Sequence, residues 1–260
     1  MMKKKYFFLL IMPIFSLSQI KPKIVYNDAQ RMNLKGEVKE VFEVDYRVEN
    51  NIITETKKKD FCQFLINGRL QTKVNFVNET VTNFIYDNRD RILSEKSKSN
   101  NNELELHYSY PEDSVVVITA KEGNYISISR NIIKKDFELE IKKNSNVTQY
   151  IENYTYDKLS RIIKSQGLQY YPNKVDTLKI TSVYHKKCLM PILQSFKKPF
   201  FKNILNDNCD IITHIVLKND GTSEQSQYTY IYDKEKNWIE RKTYLGGILL
   251  KSTKREIKYY

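Results

Sequence analysis

The chain has 260 residues and an excess of Lys and Arg that gives a formal charge of +12. Hydrophobic residues make up 40% and charged residues 28%, which excludes both a multi-pass membrane protein and a disordered tail. With only 7 Gly and 6 Pro, collagen-like and linker classes are excluded too, while 19 Tyr and 12 Phe favour sheet.

Residues 1–18 read as a secretory signal peptide. Lys3, Lys4 and Lys5 precede an apolar stretch from Tyr6 to Phe15, and Ser16 and Ser18 supply the small residues for cleavage before Gln19. The apolar run is about half the ~20 residues that a bilayer span requires. The first cysteine is Cys62, so a lipid-anchored lipoprotein is not expected. The mature chain, 19–260, is expected to be a single exported domain in the periplasm or at the cell surface, with no transmembrane segment. Removal of three lysines lowers the charge from +12 to +9. That charge is spread along the chain as solvated lysines, so nucleic acid is not an expected partner.

Val38, Glu40, Phe42, Val44, Tyr46 and Val48 alternate with Lys39, Val41, Glu43, Asp45, Arg47 and Glu49, the pattern of a long half-buried strand. Asn67-Gly68 then signals a hairpin. A first repeat segment spans 83–96. Ser94 to Glu103 is polar and reads as a loop. Alternation resumes at Leu104, Leu106, Tyr108 and Tyr110, and again at Phe137, Leu139 and Ile141. A second repeat segment covers 153–165. Near 191–207 the alternation stops, and that stretch, which holds Pro199, is expected to hold at most one short helix. Asn219-Asp220-Gly221 signals another turn, and a third repeat segment covers 229–241. The expected fold is all-β: an extended, twisted antiparallel meander.

The three segments share a pattern of aromatic-x-Tyr-Asp-x-x-x-(Arg/Asn)-apolar. Tyr86, Asp87 and Arg91 recur as Tyr156, Asp157 and Arg161, and again as Tyr232, Asp233 and Asn237. Alternation puts the aromatic and the Tyr on one face of a strand. The Asp then opens a turn, where its carboxylate can accept backbone N–H bonds. Asp90, Ser160 and Lys236 fall at the left-handed position. The intervals of 70 and 76 residues between the tyrosines require several strands per period.

These segments resemble the YD repeat of RHS-type proteins, whose usual form is Tyr-Asp-x-x-Gly-Arg-Leu. The ends, Leu34-Lys35-Gly36-Glu37-Val38-Lys39 and Tyr232 through Tyr260, are similar to a group of small exported YD/RHS-like proteins of Bacteroidetes-type bacteria. The motif Gly is absent from all three copies, and three copies are too few to wind the toxin-enclosing shell of large RHS proteins. The resemblance therefore implies a β-hairpin framework and no established activity.

Catalytic and metal motifs are not legible. His107, His185 and His214 lack ligand spacing, and no HExxH, CxxC, GxSxG, Walker or GxGxxG sequence occurs, so no cofactor is expected. Cys62, Cys188 and Cys209 leave two readings open: a bridge between Cys188 and Cys209, or three free thiols. Trp238 with Tyr230 and Tyr244 is the candidate ligand platform, against plain cross-strand packing. The expected function is a non-enzymatic binding or structural protein of the envelope, its partner a glycan or an envelope protein. The alternatives are a polysaccharide-acting enzyme with carboxylates outside any motif, or an accessory or immunity partner of a toxin system.

Overall fold

A computed structural model describes residues 27–260 apart from 51, 101, 113–114, 124, 134–137, 144–149, 160, 172–173, 186–187, 196–199 and 219. The signal-peptide segment and Ser160 thus lie outside the described residues. A one-turn helix, α1 (Asp28–Arg31), precedes the strands. The first nine are β1 (Val38–Glu49), β2 (Ile52–Phe64), β3 (Leu70–Asn75), β4 (Thr80–Tyr86), β5 (Ile92–Lys98), β6 (Glu103–Glu112), β7 (Val115–Glu122), β8 (Tyr125–Ile133) and β9 (Glu138–Lys143). There follow β10 (Tyr150–Tyr156), β11 (Ile162–Tyr171), β12 (Lys174–Tyr184), β13 (Pro191–Ser195), β14 (Phe200–Leu205), β15 (Ile211–Leu217), β16 (Ser223–Tyr232), β17 (Trp238–Leu245) and β18 (Ile248–Tyr259).

The expected all-β antiparallel meander is what the chain forms. Each strand pairs with its neighbours in sequence, all within one sheet. In addition β1 pairs with β18 across nine registered positions, from Val38 opposite Tyr259 to Arg47 opposite Lys251. The ladder therefore returns to its first strand, and the outermost strands satisfy each other's backbone groups. A meander of this kind puts alternate connections at opposite ends. The connections after β2, β4, β10, β12, β14 and β16 share one end, together with the entry into β1 and the exit from β18.

The two faces of the sheet follow from register. Val41 and Glu43 are buried, and their partners Ile257 and Arg255 share their side. Phe42, Val44 and Tyr46 point the other way. The sequence reading grouped Val38 with Phe42, but a register shift between Val38 and Glu40 moves the inward set by one residue. Outward positions carry charged cross-strand partners, such as Lys258 with Glu40 at 2.9 Å and Lys96 with Glu105 at 2.6 Å.

Two expectations are corrected. Pro191–Ser195 and Phe200–Leu205 are the strands β13 and β14, not a helix. The adjacent Ile204 and Leu205 lie on opposite faces, with Ile204 exposed, so no two-residue period shows there. Pro191 opens its strand, where the ladder asks least of its missing N–H. Ser94 to Lys98 belongs to β5, not to a loop. It is polar on both sides because Lys96 faces water while Ser97 bonds Thr82 at 2.9 Å.

The apolar core gathers at the end that carries α1. Ala29, Leu34, Val38, Val41, Cys62, Phe64 and Leu70 form one cluster, against which Ile257 and Tyr259 pack. Ile92, Tyr108, Val116 and Ile118 form a second. Phe64 is fully buried, which is worth about 1.5–3 kcal/mol of transfer free energy. Among the described residues no helix is long and apolar enough to cross a membrane.

Candidate functional site

The repeat residues build turns, and the turns share one end of the sheet. The N–H of Asp87 donates to the carbonyl of Arg91, that of Asp157 to Arg161, and that of Asp233 to Asn237, at 2.9–3.0 Å. The Asp87 carboxylate also accepts from the N–H groups of Arg89 and Arg91 and from Arg91 Nε, the last at 2.6 Å. Asp157 repeats this with Leu159 and Arg161. Asp90 and Lys236 hold positive φ, at 59° and 63°, as the pattern requires.

Two further turns of this build stand outside the three repeat segments, one unread from the sequence and one at the predicted Asn67-Gly68 hairpin. Asn206 donates its N–H to the Asp210 carbonyl, and its side-chain oxygen accepts from Asn208 and Asp210. Leu65 donates its N–H to Arg69 in the turn that carries Asn67-Gly68. Allowing Asn for Asp in the pattern finds the first. The Asn-Gly pair marks the second, which starts 22 residues before Asp87. The underlying unit is thus one hairpin, and the 70-residue interval spans three of them.

Tyrosines latch neighbouring hairpins together at four places among the described residues. Tyr86 donates to the carbonyl of Leu70, Tyr110 to Ile92, Tyr184 to Ile162 and Tyr230 to Ile211, at 2.6–3.0 Å. Each acceptor is the residue that directly follows a turn. The turn arginine covers the same ring: Arg91 stands 4.3 Å from the Tyr110 centroid and Arg161 4.6 Å from that of Tyr184. At the last turn Tyr259 donates to Asp233 and accepts from Asn237 Nδ2. Tyr232 donates to Asp210 and accepts from Asn206 Nδ2, and Tyr156 is half-buried. Burial pushes the Tyr86 and Tyr230 hydroxyls upward, and those of Tyr232 and Tyr259 to about 12, so these latches keep their protons. The repeat residues thus bond within their turns and, at Asp233, to Tyr259.

The segment around α1 lies across this end of the sheet. Asp28 accepts the N–H of Leu70, and Asn33 Nδ2 donates to the Asn208 carbonyl and to Asp210. Lys35 and Asn237 exchange two bonds of 2.8 Å. A disulfide joins Cys188, after β12, to Cys209, in the 206–210 turn, with Cα atoms 5.4 Å apart. Cys62 is a free, buried cysteine whose thiol burial raises to about 11.

Beneath α1 the inward face forms an open cavity of about 380 Å³. Its walls include Arg31 and Asn33 from the covering segment, Glu43, Lys59, Asp60, Lys73 and Asp210, and Tyr228, Tyr230, Trp238, Arg241 and Arg255. Glu43 accepts from Arg255 Nε and Lys59 Nζ, both at 2.7 Å. Burial alone would raise the Glu43 carboxyl, but Arg255 and Lys59 outweigh it and hold the group below the ordinary carboxylate range. Two guanidinium groups stand by the Trp238 ring, Arg255 at 3.3 Å and Arg241 at 5.1 Å from its centroid.

The aromatic platform does not form as one surface. Trp238 is only 7% exposed, inside the cavity wall beside Tyr230. Tyr244 pairs with Gln227, next to the Thr243–Tyr228 pair, so it faces the opposite side of the sheet from Tyr228 and Tyr230. The charged groups of the cavity were not legible. Glu43 and Arg255 are 212 residues apart, and only the pairing of first and last strands brings them together.

No protein-family model matches the chain, and no curated protein matches it. Among solved structures, a porin-like protein from Bacteroides uniformis is similar over 86% of this chain and 99% of that one, at 11% identity and a TM-score of 0.46. A porin-like protein from Bacteroides vulgatus is similar over 86% and 98%, at 10% identity and a TM-score of 0.37. The Photorhabdus luminescens Tc holotoxin pore is similar over 81% of this chain and 13% of that one, at 10% identity and a TM-score of 0.32.

Proposed function

We propose that this is a non-enzymatic, exported envelope protein of the YD/RHS-like kind, that it binds a glycan, and that the cavity beneath α1 is the binding site. One observation carries the reading: the cavity joins an aromatic wall to polar groups already fixed in place. Glu43 is held ionised between two cations, Asp210 is bonded to Asn33 and Tyr232, and Asp60 accepts from Asn75. Carboxylates committed in this way orient a ligand; a general acid has to be poised to release its proton. A concave site with an apolar wall and a few convergent polar groups suits a small organic ligand.

The test is a glycan array probed with the exported protein, followed by calorimetry on any hit. Binding to one or more glycans is expected, and Tyr228→Ala should weaken it at least tenfold while the circular dichroism spectrum stays unchanged. Failure to bind any glycan, or binding indifferent to Tyr228→Ala, overturns the proposal.

A further inference from the structure

We infer that the cavity takes an acidic saccharide and that Arg241 is the anchor for its carboxylate. The inference rests on the glycan-binding reading and names the ligand class. The lining carries five cations, Arg31, Lys59, Lys73, Arg241 and Arg255, against three carboxylates, Glu43, Asp60 and Asp210. Two of these cations are matched internally, because Glu43 takes both Arg255 and Lys59.

Arg241 is not matched. Among the described residues it makes no ion pair, and its buried Nε has no hydrogen-bond partner. Two residues further along the same face, the hydroxyl of Thr243 is also buried without a partner. The Arg241 guanidinium rests against Tyr228 and Trp238, at 5.7 and 5.1 Å from their centroids. Aromatic faces stabilise a cation but do not accept its N–H groups in the plane, as a carboxylate does with two parallel bonds. Arg241 also repels Arg255, which stands two residues along β18 from its partner Thr253. A carboxylate entering beside Arg241 would take up the unused donors and relieve that repulsion together.

The remaining wall favours a ring over a bare inorganic anion. Tyr228 and Tyr230 stand beside Arg241 on the inward face, and the volume suits a ligand of one or two rings. Strand pairing fixes the Arg241 backbone opposite Tyr230, and its guanidinium rests against Tyr228 and Trp238, which narrows the positions it can take before a ligand arrives.

Calorimetric titration with digalacturonate and with its neutral counterpart, galactobiose, at low and high salt tests the inference. The acidic disaccharide is expected to bind at least tenfold more tightly, with the margin shrinking as salt rises. Arg241→Gln should bring the two affinities to within about twofold and leave galactobiose unaffected, while Arg241→Lys, which keeps the charge, retains part of the preference. The two variants should unfold at the same temperature as the parent to within a few degrees. Equal affinities in the parent, a preference that survives Arg241→Gln, or no binding of digalacturonate overturns the acidic assignment. The array and Tyr228→Ala judge the glycan reading separately.

Discussion

The turns at 206–210 and 218–222 have the same backbone hydrogen bonds but sit at opposite ends of β15. In each, the first residue's N–H donates to the carbonyl four residues on, and the fourth residue holds a positive φ, Cys209 at 67° and Gly221 at 85°. Around 206–210 lie the disulfide, Asn33 of the covering segment and the Tyr232 hydroxyl. Around Gly221 nothing stands within 4 Å of where a Cβ would be. The same contrast holds for apolar residues. Phe64 and Leu70 are buried beside α1, whereas Ile52, Val77 and Ile248 at the far end are 65–68% exposed. The same five-residue hydrogen-bond pattern therefore fixes the local bend, and packing decides whether that bend contributes much to stability.

The largest effect separates the two ends by deletion of apolar side chains. Phe64→Ala should lower the unfolding free energy by about 3–5 kcal/mol in urea titration, through lost transfer energy and the cavity left behind. Val77→Ala should stay within about 0.5 kcal/mol. Comparable losses at both sites would mean that the far end is packed as tightly as the end beneath α1, and the contrast would fail.

A glycine pair sharpens the comparison at smaller scale. Gly68 has φ +76°, and a Cβ there would meet Asn27 Nδ2 at 2.3 Å. Asn27 caps α1 by accepting the N–H of Gln30 and donates to the Asn67 carbonyl. Gly68→Ala should therefore cost about 2 kcal/mol, combining left-handed strain with a disturbed cap. Gly221→Ala meets open space and should cost only the strain, about 1 kcal/mol. Thermal unfolding of both variants measures the difference; equal shifts would show that the covering segment does not lean on Gly68.

Much of the framework was legible because strand burial and turn chemistry are local. Alternation located β1, β6 and β9, and the Asp turns at 87, 157 and 233 gave three hairpins. What failed has local causes too. Ile204 and Leu205, adjacent within 191–207, occupy opposite faces, and a one-residue shift at Val38 reverses the inward set. Tyr244 is reached from Tyr230 through strand pairing, and that route puts it on the other face. The cavity was not legible in any local window. Its Glu43–Arg255 pair forms because the ladder closes between β1 and β18, a long-range event that alternation in either strand does not reveal.

The smallest effect asks what the turn Asp adds over Asn, and the protein holds both cases at the α1 end. Asp87 Oδ1 accepts two backbone N–H groups, and Asn206 accepts the equivalent two without a charge. Only Asp87 adds the bond to Arg91 Nε. Asp87→Asn should thus keep the turn and lose about 0.5–1 kcal/mol at pH 7. Partial burial acts to raise the Asp87 carboxyl, but the Arg91 and Arg89 amides and the Arg91 side chain outweigh it and hold it below 3.8. A carboxyl depressed on folding stabilises above its unfolded value and loses that contribution as the pH falls through its folded value. The stability curves of the parent and Asp87→Asn should therefore run apart at neutral pH and converge below about pH 4. A gap that stays constant into acid would assign the difference to shape and not to charge. A loss at pH 7 as large as that of Asp87→Ala would mean that the amide does not hold the turn at this site, and Asn206 would then owe its geometry to the disulfide beside it.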